Sequence, residues 1–273
     1  MLPPRLVGAR RPLVLLWAAG LALTSAAALS GREVVAVRLA LFVATLAVEL
    51  AALATALASR RALPPDDPTR FAATAIAVGL ALRVIAEARL LLIYVDAVPR
   101  FVQEGAVLWP LYFYGLRYFY AAADMALLVG CVLTLRGLRS TGLGFRLGPA
   151  SVAALSLLAP LPLAIHGLQS GIAAAVDPNI FAFRLIGASV GALVAAVCVA
   201  LASAALQMGG GAWPWIWGAA AAAGIARVLS FVAAAAAAQA LPGGVLIEQG
   251  LLWTFACAWL LATTLQRRLL ARR

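Results

Sequence analysis

The sequence predicts an all-α protein, a polytopic bundle of transmembrane helices. Three observations lead there. Of the 273 residues, 65% are hydrophobic and only 11% charged, with a mean hydropathy of +1.02, whereas a soluble domain carries about 25% charged residues. The charges separate uncharged stretches of about 20 residues, the length that crosses a bilayer as a helix. Arginines also gather at alternate ends of those stretches. This composition excludes a disordered chain, a disulfide scaffold and a soluble enzyme.

The first span is expected at residues 12–31, preceded by Arg5, Arg10 and Arg11. A basic segment, an apolar core and small residues at Ala26, Ala27 and Ala28 also describe a cleavable signal peptide, so the expected count is about eight spans, or seven if this one is removed. The second is expected at 34–58 and the third at 71–95. Between them Pro64, Pro65 and Pro68 interrupt any helix. The fourth lies within 105–135 and the fifth at 147–176, broken by Pro160 and Pro162. Residues 185–226 hold no charge, and 42 residues of helix would be about 63 Å long, twice what a bilayer needs. Gly209, Gly210 and Gly211 with Trp213-Pro214 supply the turn that must divide them. This gives a sixth span at 181–207 and a seventh at 213–240; after Pro242, Gly243 and Gly244 the eighth runs to residue 264.

Orientation follows from the arginines, because cytoplasmic segments are the basic ones. Thirteen arginines, within 5–11, 60–70, 136–146 and 267–273, fall on one side, and only Arg32 and Arg100 on the other. Both termini are therefore expected in the cytoplasm, with the protein in a prokaryotic cytoplasmic (inner) membrane. The same asymmetry accounts for most of the net charge of +11, so nucleic acid is not an expected partner. The lipid bilayer is. Cys131, Cys198 and Cys257 sit in apolar runs without metal-ligand spacing and read as small buried hydrophobes.

The chain also reads as two similar units, 1–146 and 147–273, of four helices each. Arg38 and Arg184 open the second and sixth spans, Arg83 and Arg227 sit within the third and seventh, and the fourth and eighth run into Arg136 and Arg267. An even number of spans per unit makes such copies parallel.

Charges inside the hydrocarbon carry the functional argument, since each costs about 2.5–3.5 kcal/mol at a helix centre on insertion scales. Arg83 and Glu87 are four apart and share a helix face. Tyr114, Arg117 and Asp124 share another, and Glu49 lies three turns beyond Arg38. Arg89, Arg184 and Arg227 have no acid on their own face and need partners elsewhere. Six arginines thus face three acids. The surplus suggests an outward-facing basic cavity for an anionic ligand, with Tyr118 and Tyr114 from the aromatic stretch 109–120 as further lining. The competing reading is structural: arginines near helix ends reaching headgroups, and Arg83–Glu87 fixing register.

His166 is the only histidine, which excludes bis-histidine haem or a multi-histidine metal site, and the absence of lysine excludes a retinal Schiff base. Gly142, Gly144 and Gly148 follow a helix and form a link, not a nucleotide loop. Gly187 and Gly191 make a small-residue face for helix packing or a homodimer. The expected function is therefore a transporter or channel, with a non-transporting sensor or an assembly subunit of a larger membrane complex as the alternative. An enzyme ranks third. The candidate pathway residues are Glu49, Arg83, Glu87, Arg89, Tyr114, Arg117, Tyr118, Asp124 and Arg227; no metal ligands are expected and no cofactor is identifiable.

Overall fold

The computed structural model describes residues 4–29, 35–104, 109–140, 178–207, 211–237 and 244–271, and all its regular structure is helical. Seven helices are present among them: α1 (Pro4–Leu29), α2 (Val35–Ala62), α3 (Thr69–Glu104), α4 (Trp109–Ser140), α5 (Pro178–Gln207), α6 (Trp213–Ala237) and α7 (Gly244–Leu270). Helices α5 to α7 correspond to the expected sixth to eighth spans. The expected fifth span, His166 and the glycines at 142–148 lie outside the described residues.

Five helices are long and apolar enough to cross a membrane: α2, α4, α5, α6 and α7. The protein is a helical membrane bundle on that ground. Helix α1 contributes only a shorter apolar stretch, Arg11–Ala26, and α3 carries Arg83, Glu87 and Arg89 along its middle. The described residues thus supply five apolar spans and two further helices, and the expected count of eight is not confirmed.

The turn between α2 and α3 is built by its polar residues. Asp67 Oδ1 accepts from the Thr69 backbone N–H at 2.8 Å and from its hydroxyl at 2.6 Å, satisfying donors at the start of α3 that have no intrahelical partner. Gly211 makes the turn into α6 with a φ of 78°, a left-handed conformation that costs glycine little. Pro214 follows at the start of the helix, where its missing N–H is no loss.

Helix α3 packs on α2 and α4, and α6 packs on α5 and α7; α7 also lies on α2, and α4 on α5. Exchanging α2, α3 and α4 for α5, α6 and α7 leaves this pattern unchanged. Helix α1 packs on α7, where Trp253 Nε1 donates to the Trp17 carbonyl and Trp17 Nε1 donates to Thr254 Oγ1, both at 3.1 Å.

Small residues bring the helix axes close. A methyl group placed on Gly224 of α6 would lie 2.7 Å from the Ala195 nitrogen of α5, and one on Gly130 of α4 would lie 2.6 Å from Ile76 Cγ1 of α3. Gly187 and Gly191 of α5 are packed on Phe231 and Val228 of α6, so this small-residue face is taken up inside the chain. Hydroxyls in the bundle bond back to their own helices, as Thr45 does to the Leu41 carbonyl at 2.7 Å and Thr263 to that of Trp259 at 2.9 Å. Such bonds satisfy polar groups where no water is at hand.

Candidate functional site

The buried charges converge at one level of the bundle. Glu49 is 11 residues from Arg60, Asp124 is 12 from Arg136, Arg83 is 13 from Arg70, and Arg227 is 14 from Trp213. At 1.5 Å per residue these are roughly 16–21 Å along each helix, about half the thickness of a membrane with its headgroups. The reference ends of α2 and α3 lie together, since Arg60 Nε donates to Thr74 Oγ1 at 2.8 Å, and Thr55 near that end of α2 meets Thr263 of α7 at 2.6 Å.

Arg83 is fully buried and joins two helices. Its Nε donates to Glu49 Oε1 of α2 and its Nη2 to Glu87 Oε1 of α3, both at 3.1 Å. Its guanidinium carbon lies 4.9 Å from the centre of the Tyr120 ring on α4 and 4.5 Å from that of Phe255 on α7. Arg227 of α6 donates from Nε to Asp124 Oδ2 of α4 at 3.0 Å, and stacks 5.5 Å from Tyr120 and 4.2 Å from Phe231. Tyr120 therefore has two guanidiniums within cation–π distance of its ring, whose face attracts positive charge. Glu49 Oε2, Glu87 Oε2 and Arg83 Nη1 are buried without a hydrogen-bond partner.

The two arginines are complementary in a regular way. Four residues after Arg83 stands Glu87, and four after Arg227 stands Phe231; 12 residues before Arg136 stands Asp124, and 12 before Arg267 stands Phe255. Arg83 has an acid on its own helix and a phenyl ring on α7. Arg227 has the reverse, a phenyl ring on its own helix and an acid on α4.

Of the residues expected from sequence, Glu49, Arg83, Glu87, Asp124 and Arg227 come together. Arg227 finds the interhelical partner it needed. Arg89, two residues beyond Glu87, is exposed on another face of α3, and Tyr118 is 67% exposed on α4; neither lines the charged interior. The side chains of Tyr114, Arg117, Arg38 and Arg184 lie outside the described residues. Among the described residues the assembled cluster holds three carboxyls and two guanidiniums; the expected arginine surplus also counted Arg38, Arg117 and Arg184.

Sequence reasoning missed Tyr120, Phe231 and Phe255. The signal for Tyr120 was present, because it stands four residues before Asp124 and so shares its face. The phenyl rings become visible only when the two arginine environments are aligned. Among the described residues no group of three or more His, Cys, Asp or Glu side chains is placed to hold a metal ion.

Fold and site together define a polytopic helical membrane protein with an ionic network at its centre. Comparison with protein families, with curated proteins and with solved structures finds no match.

Proposed function

We propose that the protein is a membrane transporter in which two parallel, duplicated helix units move against each other around the Glu49–Arg83–Glu87 and Asp124–Arg227 network. The observation that carries this reading is the placement of that network. It lies near mid-bilayer depth, and its Arg227–Asp124 pair and Arg83–Phe255 contact both cross between α2–α4 and α5–α7. Transporters built from repeats hold their substrate and coupling-ion sites at that depth and at that interface.

The duplication is supported by the packing pattern that survives exchange of the two helix sets and by the reciprocal acid and phenyl positions around Arg83 and Arg227. The cytoplasmic placement of the arginine-bearing helix ends belongs to the same proposal. The anion-accepting version depended on Arg89, Arg117 and Arg184, and Arg89 is exposed. The described cluster has one more acid than base, which favours a cationic partner at the centre instead.

The alternative is a non-transporting assembly subunit in which the network is a fixed staple, and the complete burial of Arg83 favours it. Access to the network separates the two. In a protein whose three native cysteines are replaced by alanine, Ser230→Cys puts a thiol of nearly unchanged size three residues from Arg227. A transporter exposes that thiol to a membrane-impermeant maleimide from one side of a vesicle and, after the pH gradient is reversed, from the other. A staple protects it from both sides under every condition.

A further inference from the structure

The network contains an unequal division of charge. The Arg227–Asp124 pair is neutral. The other half is not: Arg83 is a single cation bonded to two carboxyls, Glu49 from α2 and Glu87 from α3, each through one oxygen at 3.1 Å. The second half has no equivalent of Glu49, since 11 residues after Arg38 stands Glu49 and 11 after Arg184 stands Ala195. All described charged or titratable groups packed here are Glu49 on α2, Arg83 and Glu87 on α3, Tyr120 and Asp124 on α4, and Arg227 on α6; α7 contributes Phe255. With every carboxyl ionised these described groups would carry one uncompensated negative charge in a medium where an unpaired charge costs several kcal/mol.

A second observation is independent of the count. Glu49 Oε2 and Glu87 Oε2 are buried without partners, and so is a donor on the arginine between them, Arg83 Nη1. Nε and Nη2, which hold the two carboxyls at 3.1 Å each, belong to one planar guanidinium, so a single cation gathers both carboxyls at one site. Two carboxyls at one site do not both ionise readily, and the stable form holds one proton between them.

We infer that Glu49 and Glu87 together form a binding site for one proton, the coupling ion of the transport cycle. This assignment rests on the transport reading for its role in the cycle but not for its existence. In the loaded state one proton from water forms an O–H bond on a carboxyl of the pair, and the cluster is neutral. Loss of that proton breaks the O–H bond and returns the proton to water, leaving one negative charge. The neutral cluster closes in hydrocarbon; the charged one favours opening to water. A hard metal cation is a poorer occupant, because such ions take about six or more oxygen ligands, and among the described residues the buried carboxyl oxygens without a partner are the two at this site.

The test is infrared spectroscopy of the whole protein in lipid vesicles, exchanged between water and deuterium oxide. A protonated-carboxyl stretching band, shifted by deuterium and amounting to one acid per chain, is expected at about pH 7. Glu49→Gln and Glu87→Gln should each remove it completely, because the remaining glutamate is then matched by Arg83, whereas Asp66→Asn in the exposed α2–α3 turn should leave it unchanged. Absence of the band from the wild-type protein between about pH 5 and pH 8 overturns the proposal even if both glutamine variants fail to fold. Persistence of the band in folded Glu49→Gln and Glu87→Gln protein overturns it as well. The transport role is read separately: with a pH-sensitive dye inside the vesicles, the Ser230→Cys protein should release or take up protons when its thiol changes sides, and the same protein carrying Glu49→Gln or Glu87→Gln should not. A band that behaves as expected without any change of access leaves the proton site standing and refutes the transport reading.

Discussion

Replacing Asp124 by asparagine is expected to cost far more stability than replacing Glu87 by glutamine, although each removes one buried carboxylate. Arg227 is 6% exposed and is bonded to Asp124 at 3.0 Å. Opposite charges about 4 Å apart attract by about 4 kcal/mol at an effective dielectric constant of 20, and stripping one partner from a buried pair costs about 3–5 kcal/mol. Asp124→Asn should fall in that range. Arg83, in contrast, keeps Glu49 when Glu87 becomes glutamine, and the new amide oxygen still accepts from Nη2. Only the difference between a charged and a neutral acceptor is lost, about 1.5 kcal/mol or less. The measurement is reversible unfolding in mixed lipid–detergent micelles, with Asp124→Leu, Arg227→Met and their combination completing a double-mutant cycle. The combination should recover most of the loss, because well-packed apolar groups replace a buried ion pair at little cost. Equal losses for the two amide variants, or additivity of Asp124→Leu and Arg227→Met to within about 0.5 kcal/mol, would refute the reasoning.

Tyr120→Phe should change stability little, because the ring near both guanidiniums is retained, whereas Tyr120→Leu should lose about 1–2 kcal/mol in the same unfolding assay. Gly224→Val forces α5 and α6 apart at Ala195 and should lower the thermal midpoint and the folded yield, while Gly218→Ala, with open space around it, should leave both unchanged. For orientation, single cysteines at Asp66 and Glu248 should react with impermeant reagents from the cytoplasmic and the opposite side respectively. Labelling from the exchanged sides would reverse the assignment of the arginine-bearing ends, and labelling of both from one side would refute their placement on opposite sides.

How much of this was legible in the sequence varied with the kind of contact. Arg83–Glu87 could be read directly, because four residues along a helix bring two side chains together whatever the helix packs against. Glu49–Arg83 could not. Its formation depends on the rotation of α2 against α3, and alanine-rich helices with little difference between their faces give no periodicity from which to read rotation. The same lack of facial contrast placed Tyr118 with Arg117 as cavity lining, although it is Tyr120 that faces the arginines. Arg89 looked equivalent to its neighbours because depth can be counted along a chain and facing cannot. The turn at Gly211 and the break at Pro64 were clear, since both rest on local backbone chemistry.

The clasp between Trp17 and Trp253 bears on how the chain is assembled. Helix α1 docks on α7, and its hydrogen-bonded partner lies 236 residues further along. At a synthesis rate of about 5–20 residues per second, α1 waits roughly 10–50 s for the surface it will occupy. During that interval Trp17 and the residues around Gly20 must be sheltered by lipid or by the insertion machinery, while α2 to α6 emerge and begin to pair. The contact of α1 with α7 forms only after α7 has emerged, and a mutation at Trp253 would leave α1 without that partner after α2 to α6 had paired.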